Sequence, residues 1–344
     1  MISRNIMPNH KTTLQEAKDP SKTNERLNSL IAALTAKRLL TLLVEPTSKC
    51  NLACSFCDMH SGRIPNVDQY KGHMTMPTWE KLVDQIESLG YQLKQLQLHG
   101  NGEPLLNKQT PKFIEIARRR NIAESIRVTT NGTLLSPSIL EKLIEAGADE
   151  IRISVDAGDA ETWEKFKGKK LFNNLQENVI NAIEYVAKQP NVRLVLKYPV
   201  VRIDQDLSYG VTEYFRESVI QSFASKITST NVMLSAMPVV TVNDGVLLQG
   251  RKFFSPCEIP FYSLFVKFDG RVSVCCADLT NLLEMGSLDV EGLPEIVNGE
   301  ALSVFRMKHL DGKFESIPLC LYCGNRTCVD LKPVAETVRG LIRK

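Results

Sequence analysis

The chain has 344 residues and no apolar run reaching the ~18 residues that a membrane-spanning helix needs. Its opening, MISRNIMPNHKTT, lacks the apolar segment of a secretory signal. An excess of one charge is missing too: the net charge is only +3. A nucleic-acid-binding surface needs a concentrated basic face. The one short basic cluster, Arg118-Arg119-Arg120, ends a helical pattern, where cations complement the helix dipole. No internal repeat or low-complexity tract is visible. These absences point to a cytoplasmic protein without nucleic-acid or membrane partners. Thiols stay reduced in that compartment, so the nine cysteines do not read as a disulfide framework. Grouped cysteines there signal metal or catalysis.

One absence is local. No cysteine lies between Cys57 and Cys257. Before that gap stand three thiols in eight residues, Cys50, Cys54 and Cys57, spaced C-x3-C-x2-C. After it stand the other six.

What is present reads as an ordinary folded chain. Hydrophobic residues make up 43% and charged residues 24%, enough for a full core. Residues 1–38 are polar, with a loose helical pattern over 22–38, and read as an extension with no chemistry of its own. From residue 39 short apolar β-type runs alternate with helical patterns. Strands are predicted at Leu39–Glu45, Gln95–His99, Ser125–Thr130, Glu150–Val155, Val192–Tyr198 and Asn231–Ala236. Helices are predicted at Thr78–Leu89, Thr110–Arg119, Pro137–Ala146, Asn173–Lys188 and Tyr209–Ala224. Pro77 and Pro137 suit helix starts, and Gly90 and Gly147 suit helix ends. Strand–helix alternation implies right-handed βαβ units and a parallel sheet. Six units make an α/β fold of the partial (β/α)6, TIM-like barrel type over 39–240. Sites in such folds lie at the carboxyl ends of the strands. The Cys50–Cys57 loop directly follows the first strand.

The rhythm stops near residue 240. The segment SLFVKFDGRVSVCC, 263–276, reads as a hairpin around Asp269-Gly270, a type I′ turn signal. Residues 241–330 form a smaller cysteine-rich α+β domain in this reading, and 331–344 a C-terminal tail.

Structural zinc usually takes four protein ligands in two pairs. Three thiols in one loop depart from that pattern. On a four-iron cluster, three thiolates would leave one iron open for an exogenous ligand. A zinc site completed by a distant ligand, or unrelated buried thiols, are the alternatives. Downstream, C-x12-G-x4-C and then C-x2-C supply Cys257, Cys275, Cys320 and Cys323. Four thiolates close a site, and zinc or an iron–sulfur cluster would both accept them.

Cys50-Asn-Leu-Ala-Cys54-Ser-Phe-Cys57 resembles the cluster loop of the radical S-adenosylmethionine (radical SAM) superfamily. HGNGEPLL, 99–106, resembles the family's Gly-Gly-Glu-Pro motif, with Asn101 in place of the first glycine. TTNGTLL, 129–135, resembles its Asn-Gly loop, and ISVDA, 153–157, its Ser-x-Asp segment. The resemblance covers roughly residues 39–236. It implies a [4Fe-4S] cluster on Cys50, Cys54 and Cys57, with SAM chelating the open iron. It implies that Gly102, Glu103 and Pro104 help hold the SAM amino group. Asn131 would lie near the ribose, Ser154 would approach SAM, and Phe56 would stand beside the adenine. Lys197 is a candidate carboxylate partner. The second cysteine set resembles the SPASM and twitch domains appended to such enzymes. That implies one auxiliary [4Fe-4S] cluster on Cys257, Cys275, Cys320 and Cys323, with Cys276 and Cys328 left over. An electron donor such as flavodoxin or ferredoxin is also implied.

The function expected is hydrogen-atom abstraction by a 5′-deoxyadenosyl radical from a small polar substrate, sugar or aminocyclitol, ending in two-electron oxidation or epimerisation. Peptide modification, of the sulfatase-maturase or ribosomal-peptide kind, is the alternative; the chain shows no room for an N-terminal leader-binding domain. An iron–sulfur electron carrier is the reading from another class. Cys276 is the candidate hydrogen donor. Alternation along a hairpin puts it on the face opposite Cys275. Asp278 is the candidate base.

Overall fold

The computed structural model describes residues 20–55, 57–60, 62, 64–201, 219, 221–239, 256–321 and 331–343. Six parallel strands follow one another in space as in sequence: β1 Thr41–Val44, β2 Leu93–Leu98, β3 Ala123–Thr130, β4 Glu150–Ser154, β5 Arg193–Val201 and β6 Val232–Val239. Five helices cross between them: α2 Met76–Ser88, α3 Thr110–Arg119, α4 Pro137–Glu145, α5 Ala160–Lys167 and α6 Phe172–Val186. This is the α/β partial barrel expected. The Tyr209–Ala224 helix falls largely outside the described residues.

Local chemistry explains the element ends. Thr75 caps α2 by accepting Thr78 N at 3.3 Å, with Pro77 in the first turn. Gly90 and Gly147 take φ of +73° and +106° after α2 and α4. The strands alternate two faces. Leu96, Leu98, Ile126, Val128, Ile151 and Ile153 are buried with helix residues Trp79, Phe113, Leu140 and Val179 in one apolar core. The opposite positions are polar: Gln95, Gln97, Arg127, Arg152 and Lys197. Glu150 there joins Arg127, Arg152 and Arg193.

The 263–276 hairpin is present as β7 Ser263–Val266 and β8 Arg271–Ser273, with β9 Glu284–Ser287 beyond. Its turn is not type I′, which needs positive φ at both central residues. Only Gly270 has positive φ, +84°. Gly270 N donates to Lys267 O at 3.0 Å, and Lys267 N to Arg271 O at 2.8 Å. This is a longer turn closed by a left-handed glycine. β7 pairs in parallel with β1, Thr41 opposite Ser263, so the hairpin prolongs the barrel sheet.

The N-terminal helix, α1 Pro20–Thr35, is packed in place. Leu27, Leu30 and Leu34 share a second small core with Phe261, Leu310, Leu331 and Val338. Arg26 pairs with the buried Glu258. No helix among the described residues is long and apolar enough to cross a membrane.

Candidate active site

The carboxyl ends of β1 to β5 share one mouth. Cys50, Cys54 and Cys57 stand there on the loop after β1, all half-buried. Burial pushes the Cys50 thiol up to about 11, with Glu103, Cys54 and Cys57 adding to the rise. Burial also raises Cys54, against the lowering effect of Lys167. The three thiols therefore lie within electrostatic reach of one another. Cys50 and Cys54 would need help to ionise, as a metal provides. Among the described residues no three His, Cys, Asp or Glu side chains converge on a single-ion position.

The loop is held from several sides. Gly102, after β2, lies so close to its backbone that a Cβ would meet Thr47 O at 2.3 Å and Lys49 O at 2.4 Å. The glycine is thus required for approach to the cysteine loop itself. Glu103 N donates to Lys49 O at 2.8 Å. The Glu103 carboxylate is buried and accepts from Thr130 Oγ1 and Asn131 N at 2.7 Å, and from Leu105 N at 3.1 Å. Burial raises its pKa, and these donors only partly offset that. Pro104 opens a short turn behind it. Asn131 Nδ2 donates to Asn51 Oδ1 at 2.9 Å and approaches Cys50 Sγ at 3.9 Å. Asn101 belongs to the same knot. His60 Nε2 donates to Asn101 O at 2.9 Å, and Asn101 N to Glu45 Oε1 at 2.8 Å.

On the other side of the mouth, Ser154 and Lys197 are register partners across β4 and β5. Burial lowers the pKa of Lys197, with Asp156 opposing. Asp156 takes φ +65°, bonds Lys167 Nζ through Oδ2, and leaves its buried Oδ1 without a hydrogen-bond partner. Three free thiols on one loop and a buried unfilled acceptor fit a cluster with a polar ligand beside it. Phe56 lies outside the described residues.

The second cysteine set is less complete. Cys257 N is hydrogen-bonded to His309 Nδ1 at 3.2 Å, and Cys320 sits at the end of the short helix Pro318–Leu321. Cys323 and Cys328 lie outside the described residues. β8 ends at Ser273, so strand alternation does not govern Cys275 and Cys276. Their side chains are hydrogen-bonded, contrary to the opposite-face expectation. That contact, then burial, holds Cys275 well above the usual thiol range. Cys276 is exposed. Asp278 is fully buried and accepts from Ser273 Oγ at 2.9 Å, Leu282 N at 2.8 Å and Leu283 N at 2.9 Å.

The radical SAM superfamily matches residues 44–199, and an iron–sulfur cluster-binding domain, SPASM, matches 257–324. The chain carries a radical SAM domain followed by a SPASM domain. The former binds a [4Fe-4S] cluster and SAM; the latter binds auxiliary iron–sulfur clusters. Curated relatives include an AdoMet-dependent heme synthase of Methanosarcina barkeri (strain Fusaro / DSM 804), 36% identical over 40% of this chain and 37% of that protein. A GTP 3′,8-cyclase of Psychromonas ingrahamii (strain DSM 17664 / CCUG 51855 / 37) is 31% identical over 47% of this chain and 45% of its own. The chain spans less than half the length of these relatives. The fold resembles the crystal structure of BtrN in complex with AdoMet and 2-DOIA, with TM-score 0.55, 19% identity, and coverage of 83% of this chain and 93% of that one. It also resembles native anSMEcpe with bound AdoMet, with TM-score 0.52, 16% identity, and coverage of 88% and 96%.

Three residues of this radical SAM mouth were not singled out in the sequence: Glu45, His60 and Lys167. Glu45 could have been suspected as a carboxylate at the end of an apolar strand. Lys167 carries no local signal, because its burial depends on Asp156 and the cysteine loop.

Proposed function

We propose that this chain is a radical SAM enzyme that takes a hydrogen atom from a C–H bond of a small polar substrate, sugar or aminocyclitol in kind, and completes a two-electron oxidation. The observation that carries the reading is the knot at the barrel mouth. Glu103 ties the loops after β2 and β3 together, while Gly102 presses on the backbone that leads into Cys50. Cys50, Cys54 and Cys57 would hold the first cluster. Cys257, Cys275, Cys320 and Cys323 would hold the auxiliary one, which would supply an acceptor for the second electron of the oxidation, the hydroxyl proton passing to solvent. When bound, the first cluster supplies the electron that cleaves SAM homolytically to the 5′-deoxyadenosyl radical.

The chain's own groups orient what binds. Gly102, Glu103 and Pro104 would shape the pocket for the SAM amino group, and the Glu103 carboxylate, with three of its about four acceptor sites filled, would keep one for an ammonium. Asn131 would lie near the ribose. Ser154 and Lys197, side by side on adjacent strands, suit a carboxylate. Asp156 Oδ1 offers an unfilled acceptor for a ligand donor. We assign Asp278 the role of a loop anchor, since it is fully buried, three donors of its own loop hold it, and the Lys267 ammonium already stands 3.9 Å from it. Cys276, exposed and bonded to Cys275, favours a second reading in which its S–H returns a hydrogen atom and the outcome is epimerisation. A low-potential donor such as flavodoxin or ferredoxin would supply the electron.

The test is deuterium transfer. Reconstituted protein, SAM and dithionite are mixed with C-deuterated amino sugars and aminocyclitols, and in parallel with deuterated peptides. Label in 5′-deoxyadenosine from the small substrates, with a carbonyl product, supports oxidation. Solvent hydrogen at the reacting carbon supports epimerisation. Label from peptides alone contradicts the substrate class.

A further inference from the structure

Lys167 ends α5 and is 3% exposed. Lysine is seldom buried so deeply unless its ammonium is paired. Here Nζ bonds Asp156 Oδ2. Asp156 makes that contact from a left-handed backbone, φ +65°, which non-glycine residues adopt only at a cost. Burial alone would lower the lysine's pKa. The paired Asp156 carboxylate opposes that and favours the charged ammonium.

The backbone around Lys167 fixes where that charge sits. Ala53 N donates to Lys167 O at 3.0 Å, and Ser55 N to Phe166 O at 2.8 Å. Gly168 follows at φ +68°, and a Cβ there would lie 2.6 Å from Ala53 O. The stretch between Cys50 and Cys57 is therefore laid directly over the last turn of α5. The Asp156 bond and these backbone contacts hold the buried ammonium at the end of α5 that packs against the residues flanking Cys54. Lys197 and Glu103 also act electrostatically on Lys167 or its partner. No step in the proposed function uses Lys167.

We propose that Lys167 is a positioning residue that tunes the first cluster: its buried ammonium, locked beside Cys54 by Asp156 and by the α5–loop hydrogen bonds, stabilises the reduced state. The inference rests on the reading that Cys50, Cys54 and Cys57 hold that cluster. Reduction brings one electron from an external low-potential donor into a site poor in water. A fixed positive charge at short range lowers the energy of the added negative charge. No proton accompanies the electron, because the lysine is charged before and after.

The test is an EPR-monitored redox titration of the reconstituted two-cluster protein, following the cluster whose signal responds to SAM. Lys167→Met should weaken one-electron reduction at least tenfold, which is 59 mV toward more negative potential. Lys167→Arg, which keeps the charge, should stay near wild type, and the auxiliary cluster should not move in either variant. An iron-replete Lys167→Met protein with an unchanged potential overturns the proposal. If Lys167→Met fails to retain iron, Lys167→Gln, a neutral side chain that can still hydrogen-bond Asp156, decides: the same shift of at least 59 mV is expected, and an unchanged potential overturns the proposal. A wild type with no SAM-responsive cluster would overturn the cysteine assignment and this proposal together, which iron analysis separates from a tuning failure.

Discussion

Asn131 N donates to Glu103 Oε2 at 2.7 Å, joining the loop after β3 to the loop after β2 beneath Cys50. Two sequence motifs that lie far apart in the chain thus share one hydrogen bond. Glu103→Ala leaves Asn131 N, Leu105 N and Thr130 Oγ1 facing an empty buried space. The expected loss is about 3 kcal/mol of stability, from hydrogen bonds to a buried charged acceptor. SAM affinity should fall with it. Urea unfolding and equilibrium dialysis with labelled SAM measure both.

Gly102→Ala places a methyl group 2.3 Å from Thr47 O. Backbone atoms cannot yield as a side-chain end can, so the cysteine loop must shift. Overpacking of this kind costs about 1–3 kcal/mol. Iron bound per chain should drop, while Gly340→Ala, in a helix with no atom within 4 Å of the new Cβ, should retain iron and gain up to about 1 kcal/mol. Iron analysis and thermal melts of the two variants give the comparison.

Glu45 is 1% exposed, and burial raises its pKa to about 7, against amide donors at Asn101 and Phe268 and the opposing charge of Lys267. The folded state therefore binds this proton more tightly than the unfolded chain, whose value is near 4.5. Between those values the folded state holds more protons, so stability falls as pH rises from about 4.5 through about 7. The contribution is of the order of 3 kcal/mol at full development. Glu45→Gln should flatten that part of the pH–stability curve and be the more stable protein above pH 7 or so. Paired denaturant titrations across the window read the difference.

Asp278 serves as the internal partner of a loop. Asp278→Ala should destabilise by about 2–3 kcal/mol, because Ser273, Leu282 and Leu283 lose their shared acceptor. Auxiliary iron should fall while the SAM-responsive cluster is retained. Iron counts and urea midpoints test this against a base, whose loss would spare both and stop turnover alone.

Much of the barrel was legible because each strand and helix announces itself locally. QLQL-type alternation, apolar helix faces and glycine stops are short-range signals, and four predicted helices and six strands fall on observed elements, the fifth helix lying largely outside the described residues. The motif loops were legible for the same reason, since each follows its strand directly. The pairing of β7 with β1 was not, because no local feature of Ser263–Val266 names a partner near residue 41. Helix α1 showed Leu27, Leu30 and Leu34 on one side, but Phe261 and Val338, which cover them, lie in the last third. α5 had both end signals, Asp159 accepting Thr162 N and Gly168 with positive φ, yet its eight residues sit before a longer helix that drew the reading. Asp278 looked reactive by type. Only the fold reveals that its lone pairs are taken.

The most direct test of the central claim is metal and turnover analysis of anaerobically reconstituted protein. Wild type and the Cys50/Cys54/Cys57→Ala triple variant are assayed for iron, sulfide and 5′-deoxyadenosine formed from SAM with dithionite. Two four-iron clusters give about eight irons in wild type and about four in the variant, with SAM cleavage only in wild type. Zinc in place of iron, or a fully loaded wild type that leaves SAM intact, would contradict the account.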